Sequence, residues 1–128
     1  ARHTGTMTAI ARLSLTALDC PDAYALAEFY SAITGWPVHQ ESNDEWVELV
    51  SDAGATLAFQ RVADFQAPVW PGQEHPQQAH CDFDVADLDV GETQVLALGA
   101  VKHAVQPGTT FRVYLDPVGH PFCLVLIR

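Results

Sequence analysis

The residues in this chain that could do chemistry are concentrated in one short segment around His80. His80, Asp82 and Asp84 occupy alternate positions in a strand-like run, so their side chains are expected on one face of a β-strand. An imidazole beside a carboxylate can act as a general base, and it can equally bind a divalent metal ion. The alternative is a structural hydrogen bond from His80 to Asp82 or Gln78. The residues alone leave these three roles open.

A strand and a helix are predicted to position this segment. Residues 79–85 alternate as a strand, and Asp87 follows as a helix N-cap. The next helix places Leu88, Val95 and Leu98 on one face and ends at Gly99. Strands are predicted near residues 101–105, 111–115 and 122–127.

The first half of the chain is predicted to repeat this order. A helix follows the cap Asp22, and its apolar stripe consists of Leu26, Phe29, Tyr30 and Ile33. Strands are predicted over residues 12–18, 36–40, 45–50 and 56–62.

A constant offset of 65 residues relates the two halves. The matching pairs are Leu15 and His80, Asp19 and Asp84, Asp22 and Asp87, Trp46 and Phe111, Gly54 and Gly119, Leu57 and Phe122, and Phe59 and Leu124. Such an offset indicates a duplicated βαβββ unit. Each unit has four strands, which are too few to shield both faces of its sheet, so the two units should pair. We therefore predict an α+β fold in which two tandem βαβββ modules form a curved eight-stranded mixed sheet around a cleft.

The expected domain organisation follows from this repeat. Residues 10–127 form one domain, with module 1 at about 10–63, a linker loop at 64–78 and module 2 at about 79–127. Residues 1–9 are expected to be a flexible lead-in. Trp70 lies at the centre of the proline-rich linker, where we expect it to cover a pocket or to pack on a partner chain.

Composition excludes several classes of partner. The formal net charge is −10 with only six Lys and Arg, so there is no basic patch for nucleic acid or an anionic membrane. No apolar run approaches the ~20 residues of a membrane span. Three cysteines without a close pair predict a reduced, cytoplasmic protein.

Several motifs carry a resemblance to a known group. They are Asp22…Phe29-Tyr30…Gly35-Trp36, then His80-Cys81-Asp82-Phe83, then Asp116-Pro117-Val118-Gly119-His120-Pro121-Phe122-Cys123-Leu124. The chain resembles the vicinal oxygen chelate superfamily over residues 10–127. That superfamily includes glyoxalase I, bleomycin-resistance proteins and extradiol dioxygenases. Its glyoxalase-like branch, which is common in actinobacteria and mostly without assigned reactions, is resembled by the run Trp70-Pro71-Gly72…His75-Pro76-Gln77-Gln78…His80-Cys81-Asp82 and by the ending Gly119-His120-Pro121-Phe122-Cys123.

The resemblance implies a U-shaped cleft, often in a homodimer, with up to four inward positions for a divalent metal ion. In this chain those positions are Leu15, His80, Ala58 and Cys123. Only His80 and Cys123 can bind a metal, which is fewer than the three protein ligands of a catalytic zinc site. Asp82 and Gln60 lie two residues further along the same strand faces and are the available substitutes.

The resemblance also indicates which residues line the cleft. We predict a ligand pocket formed by Leu15, Trp46, Ala58, Phe59, Gln60, Trp70, Phe111, Arg112 and Cys123. Arg112 is the candidate anchor for an anionic ligand. Cys123 is either a metal ligand or a small apolar residue that fills space.

Three functions follow from this interpretation. The first is a glyoxalase-like protein that binds a small molecule in its cleft without the usual metal site. The second is a metal-dependent lyase, isomerase or dioxygenase with a non-standard site at His80 and Cys123. The third is a metal-free enzyme in which His80 is the general base beside Asp82. The cofactor is accordingly either none or a divalent ion such as Zn, Ni, Fe or Mn, and the expected partners are a small-molecule ligand and a second copy of the chain.

Overall fold

The computed structural model describes residues 9–52 and 56–127. Within them the order is β1 (Thr16–Cys20), α1 (Ala23–Thr34), β2 (Trp46–Glu48), β3 (Leu57–Arg61), β4 (Cys81–Val85), α2 (Leu88–Ala97), β5 (Val101–Lys102), β6 (Phe111–Leu115) and β7 (Pro121–Leu126). This is an α+β architecture. Residues 1–8 of the expected lead-in and Gly54 of the repeat lie outside the described residues.

Both helices begin at the aspartates that the sequence indicates. Asp22 accepts a 3.1 Å hydrogen bond from the Ala25 amide at the start of α1. Asp87 does the same for α2, where its Oδ1 accepts from two amides of the first turn at 2.9 and 3.0 Å. Gly35 ends α1 with φ +76°, a left-handed conformation that glycine adopts without strain. Neither helix in the described ranges is long and apolar enough for a membrane span.

The strands form two mixed sheets, one of three strands in the order β1-β3-β2 and one of four in the order β4-β7-β6-β5. Their pairings repeat at the offset seen in the sequence. Ala17 pairs with Ala58 in the first sheet, and Asp82 pairs with Cys123, 65 residues later, in the second. The curved eight-stranded sheet that would unite them stays a prediction.

Several strand predictions differ from the structure, including the one at 79–85, which begins at Cys81 and leaves His80 just before β4. Instead of a strand at 36–40 there is an isolated bridge between Val38 and Leu49, because Pro37 has no N–H to donate to a longer ladder. The first strand begins at Thr16 rather than at residue 12, and it continues to Cys20, which is fully buried in the core. The strand expected near 101–105 is limited to Val101–Lys102.

Helix α1 joins the two sheets through its apolar face. The ring of Tyr30 stacks on Phe59 of β3 with centroids 5.6 Å apart, and it meets Phe122 of β7 edge-on at 6.2 Å. Phe29 also contacts Phe122, at 5.8 Å. These buried aromatic contacts hold the second sheet, which carries the candidate site, in a fixed position relative to the first half of the chain.

Candidate functional site

A cavity of about 340 Å³ lies over one face of the four-stranded sheet. Its lining consists of Trp70, Gln77, His80, Asp82, Pro107, Phe111, Val113, Pro121, Cys123 and Val125. Most of these side chains come from alternate positions of β4, β6 and β7, because strand residues two apart face the same side. The intervening residues face α1 and α2. The sheet therefore presents one apolar, ligand-sized surface to the cavity.

Three polar side chains meet at this surface. His80 Nε2 lies 3.2 Å from Asp82 Oδ1, and the thiol of Cys123, the cross-strand neighbour of Asp82, lies within 4.8 Å of both. Burial, followed by the charge and hydrogen bond of Asp82, raises the pKa of Cys123 to about 11. Cys123 is therefore a protonated thiol at neutral pH, and the residues that line the cavity include no Lys or Arg to activate it as a nucleophile.

The same cluster fits a divalent metal ion. The donor atoms of His80, Asp82 and Cys123 all lie within 4.8 Å of one another. Zinc binds such donors at about 2.0–2.3 Å, which places two donors roughly 3.3–3.8 Å apart, so small side-chain movements would suffice. Asp82 thus adds a third ligand to the two expected from the sequence. Three protein ligands with one open position are typical of catalytic zinc sites.

Gln77 contributes an unsatisfied acceptor to the cavity. Its side-chain Oε1 is buried and has no hydrogen-bond partner within the described part of the chain. Buried polar atoms are nearly always paired, so an exception beside a cavity suggests that a ligand completes it. Sequence reasoning missed Gln77 because it lies in the irregular linker, where no periodicity indicates the direction of a side chain. Its position three residues before His80 was the only signal.

Trp70 is held over the cavity by His103. His103 Nε2 lies 3.1 Å from the Trp70 carbonyl oxygen, and the two rings meet edge-on with centroids 4.9 Å apart. The Val105 amide donates to Nδ1 of His103 at 2.9 Å, so Nε2 carries the proton and donates to Trp70. His103 is half-buried and positions the tryptophan.

Arg112 does not reach this cavity. It lies between Phe111 and Val113 on β6 and therefore faces the opposite side of the sheet. Its guanidinium binds Asp89 at 2.8 Å and Glu92 at 3.1 Å on α2. Arg112 is therefore not among the residues that line this cavity, and a role for it in binding an anionic ligand stays a prediction.

The expected pocket residues of the first half also lie away from the cavity. Side chains alternate along a strand, so Phe59 faces α1 while its neighbours Ala58 and Gln60 face the other side of β3. Phe59 is accordingly fully buried in the core. Ala58, Gln60 and Trp46 share that other face of the first sheet. Leu15 precedes β1 and is half-buried. The structure therefore brings together Trp70, Phe111 and Cys123 from the predicted pocket, and none of its first-half members.

A larger open groove of about 890 Å³ runs between the end of α1 and α2. It shares Asp82 with the smaller cavity, but neither His80 nor Cys123 lines it. Because the three interacting polar groups converge on the smaller cavity, we place the candidate site there.

Comparisons with known proteins agree with this architecture. The glyoxalase-like domain family matches residues 16–125. No curated protein matches the chain.

Similar solved structures share the fold at low sequence identity. A glyoxalase/bleomycin resistance protein/dioxygenase family enzyme from Burkholderia phytofirmans PsJN has a TM-score of 0.72 at 17% identity, covering 92% of this chain and 100% of its own. TnmS3, an antibiotic binding protein from Streptomyces sp. CB03234, has a TM-score of 0.62 at 16% identity, covering 95% and 100%. The oxidase ChaP-H2 has a TM-score of 0.64 at 17% identity, covering 94% and 96%. The family match spans most of the chain, and these structures repeat its fold. The chain therefore belongs to the glyoxalase-like domain family, within the vicinal oxygen chelate superfamily.

Proposed function

We propose that this chain binds a small organic molecule in the cavity over its four-stranded sheet. The observation that carries the proposal is the convergence of His80, Asp82 and Cys123 at one apolar cavity. Small-molecule sites typically combine apolar walls with a few polar groups that orient the ligand. A fold relative is described as an antibiotic binding protein, which is consistent with this role.

The cavity size indicates the size of ligand. A volume of about 340 Å³ lies near the lower end of the usual range for ligand pockets, roughly 300–1,000 Å³. The aromatic side chains of Trp70 and Phe111 form part of the wall and offer flat apolar surface. A compact ring system fits this space better than a long chain.

The polar groups contact one another in the free protein. The Asp82 carboxylate lies 3.2 Å from His80 Nε2 and within 4.8 Å of the Cys123 thiol, and a carboxylate has capacity for further donors. The cluster can therefore remain intact without a ligand and still offer hydrogen bonds to one. This supports binding that does not depend on a metal ion.

Blocking the cavity tests the proposal. A panel of compact ring compounds is screened by thermal shift, and the affinity of each hit is measured by titration calorimetry. Val125→Phe places a larger side chain in the cavity wall and should abolish binding. Val90→Phe makes the same change at an exposed position on α2 and should leave the affinity unchanged. Equal affinity in both variants, or no hit at all, would contradict binding in this cavity.

A metal-dependent lyase, isomerase or dioxygenase is the second candidate, and the three clustered donors favour it. His80, Asp82 and Cys123 would hold the ion. When bound, a divalent ion supplies Lewis-acid polarisation to substrate oxygen atoms. Trp70 and Phe111 would then exclude water and orient the substrate against the site. If no ion binds, activity would require His80 as general base, oriented by its contact with Asp82.

Metal content separates these candidates. Protein purified without a metal-binding tag is assayed for Zn, Ni, Fe and Mn, and cobalt is then titrated into metal-free protein. A metal site predicts one equivalent that His80→Ala loses, with a thiolate-to-cobalt absorption band that Cys123→Ser removes. Cys81→Ser is the matched control, since Cys81 faces the core from the adjacent strand. Metal-free protein that takes up no cobalt would exclude the metal-dependent candidate.

A homodimer with both sheets extended is part of the proposal. β1 and β4 are edge strands of their sheets, and exposed edges are usually covered. Several large apolar side chains are exposed, including Ile10, Leu13, Val69, Val101 and Ile127, as at surfaces that bind other chains. Sedimentation over a range of concentrations tests the dimer, and a monomer throughout would refute it.

Three free cysteines support the expected reduced, cytoplasmic location.

A further inference from the structure

We infer that the cavity selects a ligand that carries a protonated amine on a flat, apolar ring system. This inference rests on the small-molecule binding proposed above and names the chemical class of the ligand. Three independent features of the cavity carry it: the sign of its charge, an unpaired acceptor and its aromatic wall.

The cavity lining offers a carboxylate, Asp82, and contains no Lys or Arg. Its other ionisable side chains are His80, 3.2 Å from Asp82, and the thiol of Cys123. The nearest basic side chain along β6, Arg112, faces the opposite side of the sheet and is bound to Asp89 and Glu92. The side chain of Asp82 is 56% exposed, so its carboxylate remains accessible to a cation.

The unpaired Oε1 of Gln77 requires a donor. It is buried beside the cavity and has no partner among the described residues. An ammonium group offers up to three N–H donors and no acceptor, so it supplies the donor that Gln77 lacks and a charge opposite to that of Asp82. A carboxylate or phosphate offers acceptors only. Such a ligand would leave Gln77 unpaired and would also be repelled by Asp82.

The aromatic wall accounts for the ring. Trp70 and Phe111 both line the cavity, and Trp70 is fixed by its hydrogen bond and ring contact with His103. Aromatic faces stabilise flat apolar groups and also attract nearby cations. A ring that bears an ammonium group would use the wall and the acceptors together.

The test uses three probes that share one ring system. Metal-free wild-type protein is titrated by calorimetry with naphthylmethylamine, naphthylmethanol and naphthoate at neutral pH and low salt. The amine should bind at least about tenfold more tightly than the alcohol, as expected for charge-assisted hydrogen bonds, and naphthoate should bind most weakly. Added salt should weaken binding of the amine and leave binding of the alcohol nearly constant.

Matched variants assign the preference to its residues. Asp82→Asn should remove the preference for the amine, whereas Asp84→Asn removes the same charge two residues further along and should not, since Asp84 does not line this cavity. Gln77→Leu should weaken binding of the amine several-fold without lowering the thermal stability of the free protein, because it removes an unsatisfied acceptor. Gln78→Leu, at an adjacent residue outside this cavity, should leave affinity unchanged.

The outcomes separate this inference from the proposed function. Equal affinity for amine and alcohol, with Val125→Phe still abolishing both, would overturn the inference and leave small-molecule binding intact. A preference that survives in Asp82→Asn would likewise overturn it. If none of the three probes binds the wild-type protein, both the inference and binding of compact rings in this cavity are refuted.

Discussion

Tyr30 on α1 donates a 2.7 Å hydrogen bond from its hydroxyl to Oδ2 of Asp116, in the turn between β6 and β7. Both residues are buried, with 1% and 3% exposure. Asp116 Oδ1 also accepts from the amides of Val118 and His120 at 2.9 and 3.0 Å. Asp116 therefore caps this turn. The contact ties the first helix to the turn that leads into the strand carrying Cys123.

Removing the Tyr30 hydroxyl should destabilise the protein. Burial, followed by the charge and hydrogen bond of Asp116, raises the pKa of Tyr30 well above 10.0, so the hydroxyl is a permanent donor at neutral pH. Tyr30→Phe leaves a buried carboxylate with one donor fewer. We expect the free energy of unfolding to fall by about 1–3 kcal/mol, measured by urea denaturation.

Tyr24→Phe provides the matched control on the same helix. Its hydroxyl donates to the Ser42 carbonyl at 3.0 Å in an exposed position, so its loss should change the free energy of unfolding by less than about 0.5 kcal/mol. Equal effects of the two substitutions would show that the Tyr30–Asp116 contact has no special importance.

The ionisation of Glu92 should make the free energy of unfolding depend on pH. Partial burial alone would raise its pKa, but hydrogen bonds from Lys102, Tyr114 and Arg112 lower it below 4.5. Because the folded state then binds the proton less tightly than the unfolded state, the contribution is present above about pH 4.5 and is lost as the pH falls through the folded pKa. Glu92→Gln should therefore be less stable than wild type at about pH 7, with a difference that shrinks below about pH 4.

The control for Glu92 is an exposed ion pair. Glu45 contacts Arg61 at 3.3 Å, with both side chains largely exposed, and such pairs contribute roughly 0–1 kcal/mol. Guanidinium denaturation of Glu45→Gln should show little change at either pH. A Glu92→Gln difference that stays constant with pH would refute the assignment.

Alkylation of Cys123 should report the contact with Asp82. Burial is the larger cause of its raised pKa, and the charge and hydrogen bond of Asp82 add to it. Asp82→Asn removes the contribution of the carboxylate and keeps that of burial, so the pKa of Cys123 should fall. Because the thiolate is the reactive form, the rate of alkylation at about pH 8 should rise by a factor of roughly two to ten. Peptide mass spectrometry measures the rate at each cysteine separately.

Cys20 serves as the internal reference in that experiment, because its pKa is also raised to about 11 but Asp82 is not among the causes. Its rate should be equal in wild type and Asp82→Asn. If Cys123 reacts equally fast in both proteins, the carboxylate does not interact with the thiol.

His103→Ala should loosen Trp70. The substitution removes a 3.1 Å hydrogen bond and an edge-on ring contact. In a background where Trp36 and Trp46 are replaced by Phe, we expect emission of the remaining tryptophan to shift to longer wavelength and to be quenched more easily by acrylamide, with weaker ligand binding. His39→Ala removes an equivalent local contact, from the Glu41 amide, and should alter neither signal.

Local features of the fold were predictable because short-range rules determine them. The caps Asp22 and Asp87 and the helix stop at Gly35 depend on backbone groups a few residues away. The repeat offset of 65 reappears in the strand registers, since equivalent sequences form equivalent pairings. Alternation along the strand predicted at 79–85 placed His80 and Asp82 together, and the structure has them in contact although β4 itself begins at Cys81.

Adjacent residues on a strand show where the prediction failed. Phe111 and Arg112 were both expected in the pocket, although neighbours on a strand face opposite sides. Only the pairing of β6 with β7 decides that Phe111 shares the face of Cys123 and that Arg112 faces α2. The same alternation excludes Phe59 from any face that includes Ala58 and Gln60.

The sequence by itself determined the fold family and the identity of the polar groups, because these depend on local periodicity and on a repeated pattern. Only the tertiary structure decided that Gln77 presents an unpaired acceptor and that His103 holds Trp70 over the cavity. The physical reason is that linker side chains have no periodicity to fix their direction. Their positions depend on long-range packing, which α1 establishes by contacting both sheets.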